Sequence, residues 1–276
     1  MNAQGLLTHF DRISEAPDAI PRLRRFILDL AVRGQLVEQD SNDEPAAELL
    51  KRIQQKKLQL VIAKNLRKQK ELDPPTVDDL QFSIPNQWIL TRLGTIYDVR
   101  DGTHDTPKYV DNGYPLITSK NLSPGYLSFD DIKYISEQDH RSISERSNVE
   151  RNDILFAMIG SIGNPAIVDT DRPFSIKNVA LFKYYDDDLS SPGYLCLFLR
   201  YAAGIMQQLA AGGLQPFVSL GFLRNYPIAL PPLAEQHRIV ARVDQLMALC
   251  DQLAAAQAKR ESRRDRLAAA SLQRLA

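Results

Sequence analysis

The chain is short of several things, and each shortage removes a class of protein. Of its 276 residues only two are cysteine, Cys196 and Cys250, both in apolar surroundings with no C-x-x-C spacing and no neighbouring histidine. Disulfide scaffolding and thiolate metal binding are therefore not expected, and both side chains are assigned to buried packing. Four histidines, His9, His104, His140 and His237, are too scattered to form a ligand cluster. No stretch approaches the roughly 18 apolar residues of a membrane span. The N-terminal MNAQGLLTHFDRISEAPD carries charges where a signal peptide has its apolar segment, so a soluble, cytoplasmic chain without a membrane partner is expected. Net charge is absent too, at zero, which by itself argues against a nucleic-acid partner. Finally, no glycine or proline follows Pro232, so residues 233–276 can be helical throughout.

What is present is segregated charge and a change of period. Between Lys51 and Lys70 lie Lys51, Arg52, Lys56, Lys57, Lys64, Arg67, Lys68 and Lys70 with no acid among them, while the stretch from Asp98 to Asp188 has an acidic excess. A second basic group, Lys259, Arg260, Arg263, Arg264 and Arg266, lies near the C-terminus. One such run is an ordinary solvated helix face; two that bracket a folded middle point to phosphate or to an assembly partner.

The N-terminal part reads as helical. Leu23, Phe26, Ile27, Leu30 and Ala31 keep helical spacing, and Gly34 supplies a stop. A second helix is expected to be capped by oxygens of Ser41 to Asp43, to carry Pro45 in its first turn, and to run to about Leu72, where Pro74 and Pro75 end it. From about Phe82 to Leu230, runs such as DILFAMIGSIG and FSIKNVALFKYY between Gly, Pro, Asn and Asp clusters predict short strands. One helix interrupts them, SSPGYLCLFLRYAAGIMQQLAAGG, with Leu195, Phe198, Leu199, Ala202 and Ile205 on one side. Beyond Pro232, Ile239, Val243, Leu246, Cys250 and Leu253 alternate steps of four and three, the spacing of a seam that faces another helix. The fold class is thus α+β: an N-terminal helical region and linker over 1–78, a mixed, strand-rich domain over 79–231, and a long coiled-coil helix over 232–276.

These segments together resemble the specificity subunit of type I DNA restriction-modification systems. The residues that carry the resemblance are LRRFILDLAVRGQLVEQD and EPAAELLKRI, IPNQWILTRLG at 84–94, DGTHDTPKY at 101–109, GYPLITSKNL at 113–122, RNDILFAMIGSIG at 151–163 and LPPLAEQHRIVARVDQLMALCDQL at 230–253. The family usually has two target-recognition domains and two spacer helices in one polypeptide, whereas this chain has room for one of each. The resemblance implies a half-subunit that reads one half of a bipartite target and pairs with a second copy through Ile239, Val243, Leu246, Cys250 and Leu253. Its implied partners are double-stranded DNA, methyltransferase (modification) subunits that bind S-adenosylmethionine, and a motor nuclease (restriction) subunit that uses ATP and magnesium. No cofactor is implied in this chain itself.

Direct readout of bases needs side chains that donate and accept at base edges. The polar turns that offer them are DGTHDTPKY, with Thr103, His104, Thr106 and Lys108; TSKN, with Ser119, Lys120 and Asn121; GSIGN, with Ser161 and Asn164; Lys177 and Asn178; and Gln215. Each could equally be a polar turn residue that holds its own loop. Catalytic signatures are missing. GSIGN lacks the third glycine of a dinucleotide fingerprint, Asn225, Tyr226 and Pro227 stand in the wrong order for a base-flipping (N/D)PP(Y/F) motif, and consecutive Asp186, Asp187 and Asp188 point to different sides. No catalytic residue and no metal site is expected. The competing reading is a non-catalytic coiled-coil adaptor whose middle domain binds something other than double-stranded DNA.

Overall fold

The first helix, α1 (Ala19–Val32), stops where only glycine fits: Gly34 has φ +68, and a Cβ there would lie 2.4 Å from Pro85 Cγ. The computed structural model describes residues 18–66, 69–76, 79–80, 82–123, 125–210 and 217–273. The second helix, α2 (Ala46–Ile62), is shorter than the expected run to Leu72. Lys64 takes φ +61, and the N–H groups of Asn65 and Leu66 turn back to Leu60 O at 2.9 and 3.1 Å. That closure uses no glycine or proline, so no sequence signal marks it. The expected cap also differs. No side chain caps α2, because Asp43 is drawn off to Arg238 by two hydrogen bonds of 3.1 and 2.6 Å, and the Ala46 N–H donates to Gln87 O instead.

Among the described residues ten strands follow: β1 (Ile89–Arg92), β2 (Asp98–Asp101), β3 (Tyr109–Val110), β4 (Tyr114–Ile117), β5 (Lys133–Ile135), β6 (Ile154–Ala157), β7 (Gly163–Ile167), β8 (Ser175–Ile176), β9 (Val179–Lys183) and β10 (Pro227–Leu230). Between them lie the helices α3 (Leu93–Ile96), α4 (Glu137–Ser147), α5 (Pro192–Ala210) and α6 (Leu220–Asn225), and α7 (Leu233–Gln273) closes the described chain. The strands form an antiparallel β2-β9-β6-β7 sheet, a β3-β5-β4-β8 sheet with one parallel pair, and an antiparallel β1-β10 ribbon that joins the two ends of the strand-rich body. The α+β class read from the periods holds.

Two apolar clusters sit on opposite faces of β6 and β9. Ile154, Phe156, Ala180 and Phe182 belong to one, and Leu155, Ala157, Val179 and Leu181 to the other. This is the alternation of a strand covered on both sides, and it explains why these segments read as continuous apolar runs. The larger cluster also takes in Ile27, Ala31 and Val32 of α1, Leu49 and Ile53 of α2, and most of α5. Helix α5 begins at Pro192 as expected and packs on β7 so closely that a Cβ at Gly163 would lie 2.8 Å from Ala203 Cβ. Its buried set is wider than the expected stripe. Cys196 and Met206 are buried, whereas Ile205, assigned to the buried side, is 38% exposed. Cys196 and Cys250 are both buried free thiols.

Helix α7 is 41 residues long, roughly 60 Å at about 1.5 Å per residue. Its first part does not offer a free seam, which corrects the expectation drawn from its spacing. Ile239, Val243 and Cys250 are buried, and with Leu246 they pack in the same cluster as α1 and α5. The seam is real, but its partner helices over this stretch belong to the same chain. Beyond Asp251 the character changes: Leu253 is 39% and Leu267 69% exposed, and Lys259, Arg260, Arg263, Arg264 and Arg266 are all exposed. About 24 Å of helix, from Asp251 to Leu267, thus lies beyond the last buried position. No helix is long and apolar enough to cross a membrane among the described residues.

The junction between the strand-rich body and α7 is built from PPLAEQ. Pro231 and Pro232 end the ribbon, and Gln236 turns back on them, with Nε2 donating to Pro231 O at 3.0 Å and its N–H to Pro232 O at 2.9 Å. Glu235, wholly buried, accepts from the indole Nε1 of Trp88 at 2.9 Å and from Gln39 Nε2. Burial pushes the Glu235 carboxyl above its ordinary value, and the hydrogen bonds from Trp88 and Gln39 draw it back down. Glu235→Ala leaves the buried Trp88 indole N–H unmet, whereas the exposed Gln39 amide can turn to water, so unfolding free energy should fall by about 1–3 kcal/mol. Thermal melts followed through Trp88, the chain's one tryptophan, test this directly. The raised carboxyl also has a pH signature. Its folded form binds the proton more tightly than its unfolded form, so its contribution to stability is complete below the ordinary glutamate range and is lost as pH rises through the folded value. Glu235→Gln should flatten that part of the stability profile; an unchanged profile would exclude Glu235 as its source.

Candidate nucleic-acid interface

The loop after β2 lies across the turn that joins β8 to β9. Gly102 permits this contact, because a Cβ would sit 2.1 Å from Ile176 O. Its N–H donates to Val179 O at 3.0 Å, the Thr103 N–H to Ile176 O at 3.0 Å, and the Asn178 N–H to Thr103 O at 3.1 Å. Lys177 donates its N–H to Ile117 O at 2.9 Å, which ties the same turn to the end of β4. Side chains reinforce the backbone. Lys177 Nζ donates to Thr106 Oγ1, and the His104 ring lies between Asp101 Oδ2, 2.9 Å from Nε2, and Asn178 Oδ1, 3.0 Å from Nδ1. Asn178 takes φ +55, a conformation that asparagine tolerates better than most residues.

At the end of β4, Thr118 begins a single 3₁₀ turn, Ser119–Leu122. Asn121 Oδ1 accepts from the Thr118 N–H and from its hydroxyl, at 3.0 and 3.1 Å, while Nδ2 donates to Asp130 O at 3.2 Å. The side chain is 7% exposed and its polar atoms are engaged. Asn121 therefore shapes the turn, which leaves Ser119 and Lys120 at its outer edge.

These segments meet at one cleft of about 1060 Å³, lined among others by Tyr109, Ser119, Lys120, Asp130, Asp131, Lys133, Ile159, Gly160, Lys177 and Asn178. Four stretches that are remote in the chain, 101–109, 118–133, 159–160 and 177–178, thus share one wall or rim. Of the residues singled out from the sequence, Ser119, Lys120, Asn121, Lys177 and Asn178 line the cleft, and Thr103 and His104 hold its 177–178 edge. Lys108 is exposed beside the lining residue Tyr109. Ser161 is exposed next to Gly160, and Asn164 is half-buried in β7 with φ +46; neither is among the lining residues. Gln215 lies outside the described residues, as do Gly212 and Gly213.

Tyr109, Asp130, Asp131 and Lys133 were not singled out in advance. Tyr109 ends the DGTHDTPKY motif and could have been; the other three follow a long excursion of chain and carry no local signal. Arg146 was also missed. It reaches from α4 to donate to Gly102 O at 2.6 Å and lies 3.5 Å from Asp101.

The charge of this cleft is mixed: Lys120, Lys133 and Lys177 face Asp130 and Asp131. Elsewhere, the basic run on α2 is largely consumed within the chain. Lys51 pairs with Glu48, Arg52 with Glu44 and Lys56 with Asp186, and Lys57 donates to Gly94 O and lies over the Tyr185 ring. That run is a structural face. Among the described residues no group of three or more His, Cys, Asp or Glu could hold a metal ion, and Asp171 is engaged by Arg151 at 2.9 and 2.7 Å.

Comparison with known proteins adds an independent line. Residues 85–261 match the family described as type I restriction modification DNA specificity domain. The chain is 33% identical over 254 residues to the type I restriction enzyme EcoAI specificity subunit of Escherichia coli, covering 89% of this chain and 43% of that protein. It is 31% identical over 280 residues to the EcoEI specificity subunit of Escherichia coli, covering 91% and 46%. The chain therefore spans less than half the length of these relatives. Its fold superimposes on a chain from a structure of a type I R-M system with TM-score 0.53 at 20% identity, covering 94% of this chain and 56% of the other. The HsdS subunit from Thermoanaerobacter tengcongensis matches with TM-score 0.50 at 21% identity, covering 92% and 56%.

The division of labour within the TSKN turn is testable. Asn121→Ala unpairs Thr118 and Asp130 and should lower unfolding free energy by about 1–3 kcal/mol. Lys120→Ala should stay within about 0.5 kcal/mol of the parent. Denaturant melts of the two variants should differ accordingly, and equal losses would refute the assignment.

Proposed function

The chain belongs to the type I restriction modification DNA specificity domain family, and from that premise we propose that it is a non-catalytic reader of double-stranded DNA that recognises one half of a two-part target. The observation that carries the reading is the convergence of four remote polar segments on one cleft. Hydroxyls, an amide and three ammonium groups of that cleft are the donors and acceptors that base edges and phosphates require. The backbone there is over-determined by hydrogen bonds, which suits recognition because little conformational freedom remains to be lost on binding.

In this reading α7 sets the position of the reader relative to its partners. Successive major-groove faces of B-DNA recur every 34–36 Å or so, and two reading bodies sample separated half-sites only if their spacing is rigid. The second body is another copy of this chain, held through the part of α7 beyond Asp251, which no helix among the described residues covers and where Leu253 and Leu267 are 39% and 69% exposed. A two-fold pair then reads an interrupted palindrome. The chemistry belongs to partner subunits: a methyltransferase that binds S-adenosylmethionine, and a motor nuclease that uses ATP and magnesium.

Binding of duplex oligonucleotides should weaken steeply with salt. Replacing Lys120, Lys133 and Lys177 by alanine should each reduce the slope of log K against log salt by about 0.9 if that ammonium meets a phosphate. Fluorescence anisotropy between low and physiological salt measures this, and binding that is absent or indifferent to salt would favour the adaptor reading instead. Mass measurement in solution should give a dimer, alone or with the modification partner. A monomer under both conditions would remove the symmetric target.

A further inference from the structure

One wall of the cleft is apolar, although charged and polar groups line most of the rest. Ile159 lines that wall, and an antiparallel bridge sets Ile159 opposite Phe217. The Val218 N–H donates to Met158 O at 2.9 Å. With that bond on the neighbouring residues, Ile159 and Phe217 form a non-hydrogen-bonded pair, in which the two side chains share one face and approach most closely. Successive side chains alternate between faces. Met158 and Val218 turn inward and are buried in the larger apolar cluster. Phe217 turns the other way, is 50% exposed, and extends outward the wall that Ile159 begins. At Gly160, the next lining residue, a Cβ would meet nothing within 4 Å, so the space beside the wall is open.

An isolated exposed phenylalanine is ordinary on a protein surface. One that is paired with a lining residue gives a polar cleft an apolar contact surface. The base edges of double-stranded DNA offer one apolar group to such a surface, the C5-methyl of thymine, which lies in the major groove beside the O4 acceptor. We infer that Phe217, with Ile159 next to it, is a specificity-determining residue that covers a thymine methyl, while Lys120, Lys133 and Lys177 of the same cleft supply donors to the neighbouring O4 or to phosphate. The inference rests on the cleft being a DNA interface, and it commits the reader to the major groove, because the minor groove carries no methyl. Insertion between base pairs as an apolar wedge is the other use of such a side chain on DNA. The bridge argues against it: Phe217 is set beside a second side chain on backbone that is bonded in place, and does not project alone.

The test uses the full-length chain and starts by selecting its target from double-stranded oligonucleotides with randomised positions. Each thymine of the selected half-site is then replaced singly by deoxyuridine, which removes the methyl and keeps every hydrogen-bonding group. At one position the parent should bind the deoxyuridine duplex roughly fourfold more weakly, the value of one buried carbon. Phe217→Ala should bind the thymine and deoxyuridine duplexes alike there, about as the parent binds the deoxyuridine one. Phe217→Leu, which restores apolar surface, should recover part of the difference, whereas a purely structural role would lower affinity for every duplex by the same factor. A selected half-site without thymine, or one in which no deoxyuridine replacement weakens binding, overturns the inference. So does a deoxyuridine penalty that persists in Phe217→Ala; if overall affinity falls as well, the wedge takes its place. A parent chain that selects no sequence at all would sink the DNA-reading proposal itself, whereas selection without dependence on a methyl sinks this inference alone.

Discussion

A buried carboxylate at the start of a long helix is the constraint on which the arrangement of this molecule depends. Glu235 stands in the first turn of α7, where the unpaired N–H groups of the helix favour a negative charge. It is nevertheless wholly buried, a position that is tolerable only because the Trp88 indole and Gln39 donate to it. Those donors come from the two segments that flank α2, so one carboxylate ties the N-terminal helices, the entry to the strand-rich body and the exit helix together. Arg238, one turn on, adds a two-bonded grip on Asp43. Hydrogen bonds are directional where apolar contact is not. The direction in which α7 leaves the body is therefore set by chemistry rather than by packing alone.

The cleft depends on a comparable device. Strands β6 and β9 are buried on both faces and leave no freedom at their ends. The Gly102–Thr106 loop is fastened to the start of β9 through the Gly102 N–H and Val179 O, and the β8–β9 turn is tied to the end of β4 through the Lys177 N–H and Ile117 O, with Gly102 allowing the closest approach. Residues that look interchangeable in the sequence as polar turn residues then divide. Asn121 and His104 spend their polar atoms inside the protein, whereas Ser119 and Lys120 keep theirs at the cleft. The same division separates the cations: those of α2 are engaged within the chain, and those of α7 beyond Asp251 are exposed.

Much of this was legible from local rules. The stop at Gly34, the start of α5 at Pro192, the strand character of the middle and the uninterrupted helix after Pro232 each follow from φ preferences or from a residue period, properties that a short segment carries by itself. Where the reading failed, a competing partner decided. Helix α2 ends at a left-handed lysine, which no propensity announces, and its expected cap was lost because Asp43 found Arg238 nearly two hundred residues away. Ile205 sits at the margin of a stripe that Met206 takes over, since α5 is buried on more than one side.

The α7 seam marks the boundary most clearly. Steps of four and three establish that one face of the helix is apolar and must be covered, because apolar area left in water is costly wherever the cover comes from. They do not say whose surface covers it. Up to Cys250 the answer is α1 and α5 of the same chain, and from there to Leu267 no other described residue buries the face. By itself, then, the sequence determined the elements, their buried faces and the family pattern, all of which are written in short-range spacing. Only the tertiary structure decided which distant segments meet, which polar atoms are consumed when they do, and where the long helix parts from the body, because each of those depends on groups brought together across the whole chain.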